Sequence, residues 1–331
     1  MTDTPYAALI EAIKAKDAAK VQDVLIAHPG MNLEEGVATD DTPLHAAIAT
    51  GDADCVRLLL EAGANPNSQP RQWGKGTPLL HALDTSGVRM NPKVIALLLK
   101  HGANPETTAE RDFDKKPLLV AAGKGYEAVV QMLLEKGADI HVKDRYDSTP
   151  MILAAREGHS GVIRILAEEG ADVNERGWLD MRSPLESALW GGQRDAFETL
   201  LDIGANPYDL GQTKSTPLMI AAGAGDAGVF ERLVQMGFTL DAQNVNGDTA
   251  AHLAAWSGRG NSFARLLEMG ADMTIKNGKG LTARDVAESE GHVHILRQLA
   301  AHDAKLAAQM NTGLQGGINI SKPLRLTAGP A

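Results

Sequence analysis

The sequence predicts an all-α solenoid of about nine helix-turn-helix units joined by outward hairpins. Three observations carry the prediction. A start of Thr or Ser, then Pro, then an apolar residue recurs down most of the chain. A glycine stands nine residues after most starts, and a Gly-Ala-Asp/Asn stop closes most units. The starts fall at positions 7, 42, 77, 116, 149, 183, 216, 249 and 282, at spacings of 35, 35, 39, 33, 34, 33, 33 and 33. A fixed period near 33 residues marks one supersecondary unit repeated, each copy burying its apolar face against its neighbours.

The clearest start is Thr42-Pro43-Leu44-His45-Ala46-Ala47. Thr77-Pro78-Leu79, Lys116-Pro117-Leu118, Thr149-Pro150-Met151, Ser183-Pro184-Leu185 and Thr216-Pro217-Leu218 follow it, with Thr249-Ala250-Ala251-His252 and Thr282-Ala283-Arg284-Asp285 as weaker copies. The hydroxyl is a helix N-cap, and proline at the first helical position gives up a donor that the helix does not use. Alanines such as Ala46 and Ala47 keep one helix face thin, so the next helix can approach. The first glycine (Gly51, Gly125, Gly158, Gly192, Gly225, Gly258, Gly291) permits the left-handed conformation that ends the short helix. Only Lys16 and Ser86 replace it. Paired apolar residues such as Leu59-Leu60 and Leu200-Leu201 mark a second helix running back, and segments such as Gly63-Ala64-Asn65 turn the chain outward.

This pattern resembles the ankyrin repeat family from about residue 7 to residue 303. The resemblance implies antiparallel helix pairs in a stack. It implies that His45 and His252 hydrogen-bond between adjacent hairpins. It also implies a protein partner held mainly by five positions per unit: one, three and four before each start, and seven and eight after it. The first copy reads as lacking Thr-Pro, and both end copies are expected to be polar caps. The array is expected over residues 1–304, with a flexible tail over 305–331. Lys305–Gln309 extend the last helix before Gly313, Gly316, Gly317 and Pro323 break the pattern. Within the tail, Ile318–Leu326 reads as a plain terminus, a docking peptide or a piece that packs back.

Composition narrows the function. With 44% hydrophobic and 22% charged residues, the chain is expected to fold, and 4% aromatics means a core of Leu, Ile, Val and Ala. A net charge of −10 repels phosphate backbones and anionic membranes, so neither nucleic acid nor membrane is the expected partner. Cys55 is the only cysteine, which excludes an internal disulfide, and its apolar run makes it a buried side chain. The N-terminal residues lack a secretory apolar stretch, and a cytoplasmic, monomeric protein is expected.

No motif for chemistry stands out, so no enzyme activity, metal or cofactor is expected. His159 and His292 follow the first glycine of their units and read as structural. Gly211–Thr216 lacks the glycine before lysine that a phosphate loop needs. The acids Asp112, Asp114, Asp144 and Asp147 are hairpin turn residues.

The variable positions are more informative. Forty of the 331 positions are those the family uses for contact in units two to nine, and five of the thirteen aromatics fall there: Trp73, Phe113, Tyr146, Trp190 and Trp256. Aromatic anchors give large contact area at low entropy cost. The same positions hold the basic residues Lys115, Lys124, Arg145, Arg156, Arg182 and Lys279 against seven acids, with a slight basic surplus at units four and five. Extra residues lengthen the hairpins at Asn65–Gly76 and Asn104–Lys115 and the turn at Val88–Asn91, and loops of this kind often bind. The prediction is a concave hairpin face that grips another protein, possessing an acidic and partly apolar segment, as inhibitor, immunity factor, regulator or scaffold. Two other readings stay open: a small-molecule or enzyme pocket near Trp178, Arg182 and Trp190, and nucleic-acid binding along the central basic strip.

Overall fold

Proline decides where most of the short helices begin. The computed structural model describes residues 4–34, 42–69, 76–84, 90–108, 115–177 and 182–315, in two bodies, Met1–Gln212 and Thr213–Ala331. Among the described residues every regular element is helical. The N-terminal body holds six antiparallel pairs. They are α1 (Pro5–Lys14) with α2 (Ala18–Ala27), α3 (Pro43–Thr50) with α4 (Ala53–Glu61), and α5 (Pro78–Leu83) with α6 (Pro92–Lys100). Then come α7 (Pro117–Gly123) with α8 (Glu127–Glu135), α9 (Pro150–Glu157) with α10 (Ser160–Glu168), and α11 (Pro184–Trp190) with α12 (Arg194–Asp202). The C-terminal body holds three more pairs. In the first, α13 (Pro217–Ala224) is followed by a 3-10 turn at Ala227–Val229 that runs into α14 (Phe230–Gln235). The others are α15 (Ala250–Trp256) with α16 (Gly260–Glu268), and α17 (Ala283–Ser289) with α18 (Val293–Gln315).

Within each body the first helix of a pair packs on its own second helix and on the first helix of the next pair. The alanines make this close approach feasible: Ala47, Ala121, Ala122, Ala154, Ala155 and Ala188 are fully buried. The second helices supply the larger side chains, with Leu59, Ile95, Leu133, Ile163, Phe197 and Phe263 fully buried. Five of the predicted hydroxyl caps form, whereas the Thr77 hydroxyl caps nothing and is buried without a hydrogen-bond partner. Thr42, Thr149, Ser183, Thr216 and Thr282 accept backbone amides three residues on, at 3.2 to 3.4 Å.

Neighbouring repeats are also tied by polar bonds. His45 Nδ1 lies 2.8 Å from Thr42 Oγ1, and its Nε2 lies 3.3 Å from the Gly76 carbonyl. A carbonyl can only accept, so Nε2 carries the proton and Nδ1 accepts from the threonine hydroxyl. His252 repeats the arrangement with Thr249 at 2.8 Å and the Leu281 carbonyl at 2.9 Å. His159 and His292 donate to the carbonyls of Gly123 and Trp256, at 3.0 and 3.2 Å. The expected structural roles of these four histidines hold. A further ladder runs along the base of the hairpins, where the amides of Asn104, Asp139 and Asn206 donate to the side chains of Asn67, Glu106 and Asn174.

Three differences from expectation have physical reasons. The first copy does possess the start signature: Thr4 caps α1 and Pro5 opens it, three residues before the position counted back from the second copy. The helix is ten residues long against eight in α3, and the extra length hides the cap from period counting. At its end, Lys16 takes the left-handed conformation (φ 56°) that glycine takes in most other copies. The last helix continues beyond Gln309 to Gln315, through Gly313. Residues 316–331 and most of the extra hairpin residues lie outside the described residues; of the inserted turn, Asn91 is described, capping α6 and donating to the Gly51 carbonyl at 3.1 Å.

Cys55 is fully buried. Burial first, then the Asp52 carboxylate, pushes its thiol up to about 11. The thiolate is the reactive form, so alkylation at pH 7.5 should be undetectable in the folded protein and complete in denaturant. Rapid labelling of the native chain, read by intact mass, contradicts that burial.

Candidate partner-binding surfaces

The ends of the short helices and the hairpins before them carry the predicted contact residues. In the N-terminal body, Lys115 on a hairpin and Lys124 beyond α7 both reach Asp84 at the end of α5, at 3.3 and 3.0 Å. Burial alone would raise the Asp84 carboxyl, but hydrogen bonds from Lys124 and Lys115 outweigh it and hold it below its ordinary value. Arg156, at the end of α9, pairs with Glu157 at 3.1 Å. These five side chains rim a shallow cavity of about 230 Å³ floored by Leu119, Val120 and Leu153. The basic strip is thus neutralised in part by its own neighbours, which the sequence count of charges does not show.

Two aromatic–arginine pairs stand on the same body. The Arg182 guanidinium lies over the Trp190 ring at 4.1 Å, and Arg145 lies over Tyr146 at 5.5 Å. Both rings stay open to solvent, Trp190 at 43% and Tyr146 at 49% exposure. Gly191, next to Trp190, lets α9 and α11 end side by side: a Cβ there would sit 2.2 Å from the Arg156 carbonyl oxygen. Trp190 and Arg156 are therefore neighbours at adjacent helix ends. Trp73, Phe113 and Trp178 lie outside the described residues.

A polar cluster that sequence reasoning missed ties this region together. Glu186 occupies the signature's histidine position and cannot donate to the next hairpin as His45 does. It instead closes a capping box with Ser183 and takes a two-pronged ion pair from Arg176, at 2.5 and 3.1 Å. Arg176 also reaches Asp209, through its Nε to the carboxylate at 3.2 Å and through Nη2 to the carbonyl. Burial would lower the Arg176 pKa, but its bonds to Glu186 and Asp209 raise it. The available signal was the replacement itself, a glutamate in the histidine slot with an arginine ten residues before it.

Trp256 belongs to the C-terminal body, at the end of α15 and 59% exposed. It lines a cavity of about 710 Å³ between the α15 and α17 repeats. Among the described residues no cluster of His, Cys, Asp and Glu suits a metal ion, and no helix is long and apolar enough to cross a membrane.

A family model described as ankyrin repeats (3 copies) matches the chain in overlapping stretches, residues 9–109, 70–144, 91–177, 118–211 and 185–277. The chain belongs to the ankyrin repeat family. Ankyrin arrays are protein-protein interaction modules, and the capped helix pairs with outward hairpins are the family's architecture. Curated relatives match over part of the array. A B-cell lymphoma 3 protein homolog from Mus musculus is 36% identical over 103 residues, 31% of this chain and 21% of the relative. The ankyrin repeat and KH domain-containing protein mask-1 of Caenorhabditis elegans is 33% identical over 144 residues, 41% of this chain and 5% of its own length. A putative E3 ubiquitin-protein ligase, XBAT34 of Arabidopsis thaliana, is 37% identical over 107 residues, 32% of this chain and 27% of its own length. The chain therefore spans about a quarter or less of these relatives.

Proposed function

We propose that the N-terminal body of this ankyrin array grips a partner protein on its hairpin-bearing face. Tyr146 and Trp190 are the apolar anchors there, and Lys115, Lys124, Arg145, Arg156 and Arg182 meet an acidic, partly apolar segment. Trp73 and Phe113 are assigned the same anchoring role. The observation that carries the reading is the pairing of Arg182 with a Trp190 ring that is still 43% exposed. A stacked arginine and an open indole offer contact area already ordered, so association costs less entropy. Lys115, Lys124 and Arg156 hold exposed carboxylates, and surface pairs of this kind contribute only about 0–1 kcal/mol. A partner's carboxylate can replace them at low cost. The same pairing leaves little uncompensated charge for a phosphate backbone, which favours a protein partner. Gripping of this kind supports inhibition, immunity, regulation or scaffolding.

The full chain, used as bait in extract from cells that express it, should retain a partner that mass spectrometry identifies. Against that partner, Tyr146→Ala with Trp190→Ala should weaken binding by about 100-fold or more, with circular dichroism unchanged. Undiminished affinity rejects the assigned face. Retention on DNA or RNA that falls steeply with salt would instead support the nucleic-acid reading.

A further inference from the structure

The C-terminal body holds a groove whose charges differ in kind from those of the N-terminal body. It runs between α15 and α17 and is lined by Val245, Leu253, Trp256, Lys279 and Glu290 among others. Val245 and Trp256 are 61% and 59% exposed, a wide apolar surface for two side chains at one cavity. The walls are fixed to each other. The Gly278 amide donates to the Asn246 carbonyl at 2.8 Å, Asn277 Nδ2 donates to Asp248 at 2.8 Å, and Gln243 Nε2 donates to the Lys276 carbonyl at 3.1 Å. The hairpins approach so closely that a Cβ on Gly247 (φ 75°) would lie 2.6 Å from the Gly278 nitrogen.

Its two lips carry opposite and unused charges. Asp248 is engaged by Asn277, but neither the Lys279 ammonium nor the Glu290 carboxylate makes an ion pair or side-chain hydrogen bond among the described residues. This contrasts with Lys115, Lys124 and Arg156, each of which meets an acid. Lys279 lies on the hairpin before α17 and Glu290 directly follows that helix, with ten residues of chain, 280–289, between them.

From this juxtaposition we propose that the groove docks an extended segment of a partner protein bearing one acidic and one basic side chain. The acid meets Lys279, the base meets Glu290, and an apolar side chain between them lies on Trp256 and Val245. The assignment rests on the reading of the array as a protein-binding module but uses a different body and different residues from the face described above. The chain's own segment beyond Gln315 supplies Lys322 and Arg325 and no acid, so it matches only the Glu290 lip.

Selection of a displayed library of random decapeptides on the full chain tests the proposal. The wild-type chain should enrich peptides with an acid and a base flanking an apolar residue. Lys279→Glu should shift the enriched pattern to two basic residues, and Glu290→Lys should shift it to two acids. A fluorescein-labelled enriched peptide should lose at least about ten-fold in affinity with Trp256→Ala and be unaffected by Trp190→Ala. No enrichment, a charge pattern that ignores the two lip substitutions, or dependence on Trp190 instead of Trp256 overturns the groove assignment and leaves the N-terminal face standing. Replacing Lys322 and Arg325 by Glu should not change the peptide's affinity; a ten-fold gain would show that the chain's own end occupies the groove and would overturn the assignment to a partner.

Discussion

Replacing Arg176 by Met should lower the unfolding free energy of the N-terminal body by about 3–5 kcal/mol, the usual cost of breaking a buried ion pair from one side. Glu186 is the reason. Its side chain is 8% exposed, and the two-pronged contact from Arg176 is what offsets the removal of its charge from water. With the guanidinium gone, the Ser183 amide still donates to the carboxylate at 2.9 Å, and one backbone bond does not compensate a buried charge. The double substitution Arg176→Met with Glu186→Leu should recover most of the stability, since an apolar pair of similar volume replaces two charges. Urea unfolding of the three proteins gives the comparison. As a reference, Glu61→Ala removes the exposed Arg57–Glu61 pair, 3.0 Å apart, and should cost under about 1 kcal/mol. A single Arg176→Met variant as stable as the wild type would mean that Glu186 is not desolvated.

The contrast between these two ion pairs explains what the sequence makes legible. Period, caps and turns are local, and each repeat restates them. Thr42, Ser183 and Gly158 are therefore readable without knowing what surrounds them, and the structure places them as caps and left-handed ends. The exposed rings Tyr146, Trp190 and Trp256 were legible too, since a repeat that does not need a ring at those positions has no packing use for it. Pairings across repeats were not legible. Asp84 lies about one repeat from Lys115 and Lys124, and nothing in the local pattern says that one carboxylate serves both. Thr4 was hidden for a different reason, because the longer α1 moves the cap off the period. The groove beside Trp256 depends on the spacing between two hairpins, which Gly247 and Gly278 set by backbone contact and no side-chain pattern records.

Phe263→Ala should be among the most damaging single changes in the C-terminal body, at about 3–5 kcal/mol for an aromatic ring removed from a closed core. The ring is fully buried on α16, which packs against both α15 and α18. The groove residues Leu253 and Trp256 stand on α15, so the ring supports the groove without lining it. Hydrogen exchange should accelerate through α15 and α16, and any peptide held by the groove should bind more weakly although its contacts are all still encoded. Phe263→Leu keeps most of the volume and should cost only about 1.5 kcal/mol or less. Trp256→Ala is the opposite case. Its ring is more than half exposed, so stability should stay within about 0.5 kcal/mol while peptide affinity falls. A buried ring and an exposed ring thus occupy one helix pair, and measuring both variants for unfolding and for binding separates the stability role expected of Phe263 from the binding role proposed for Trp256. Equal loss of stability in both would mean that Trp256 is packed as part of the core and is not available to a partner.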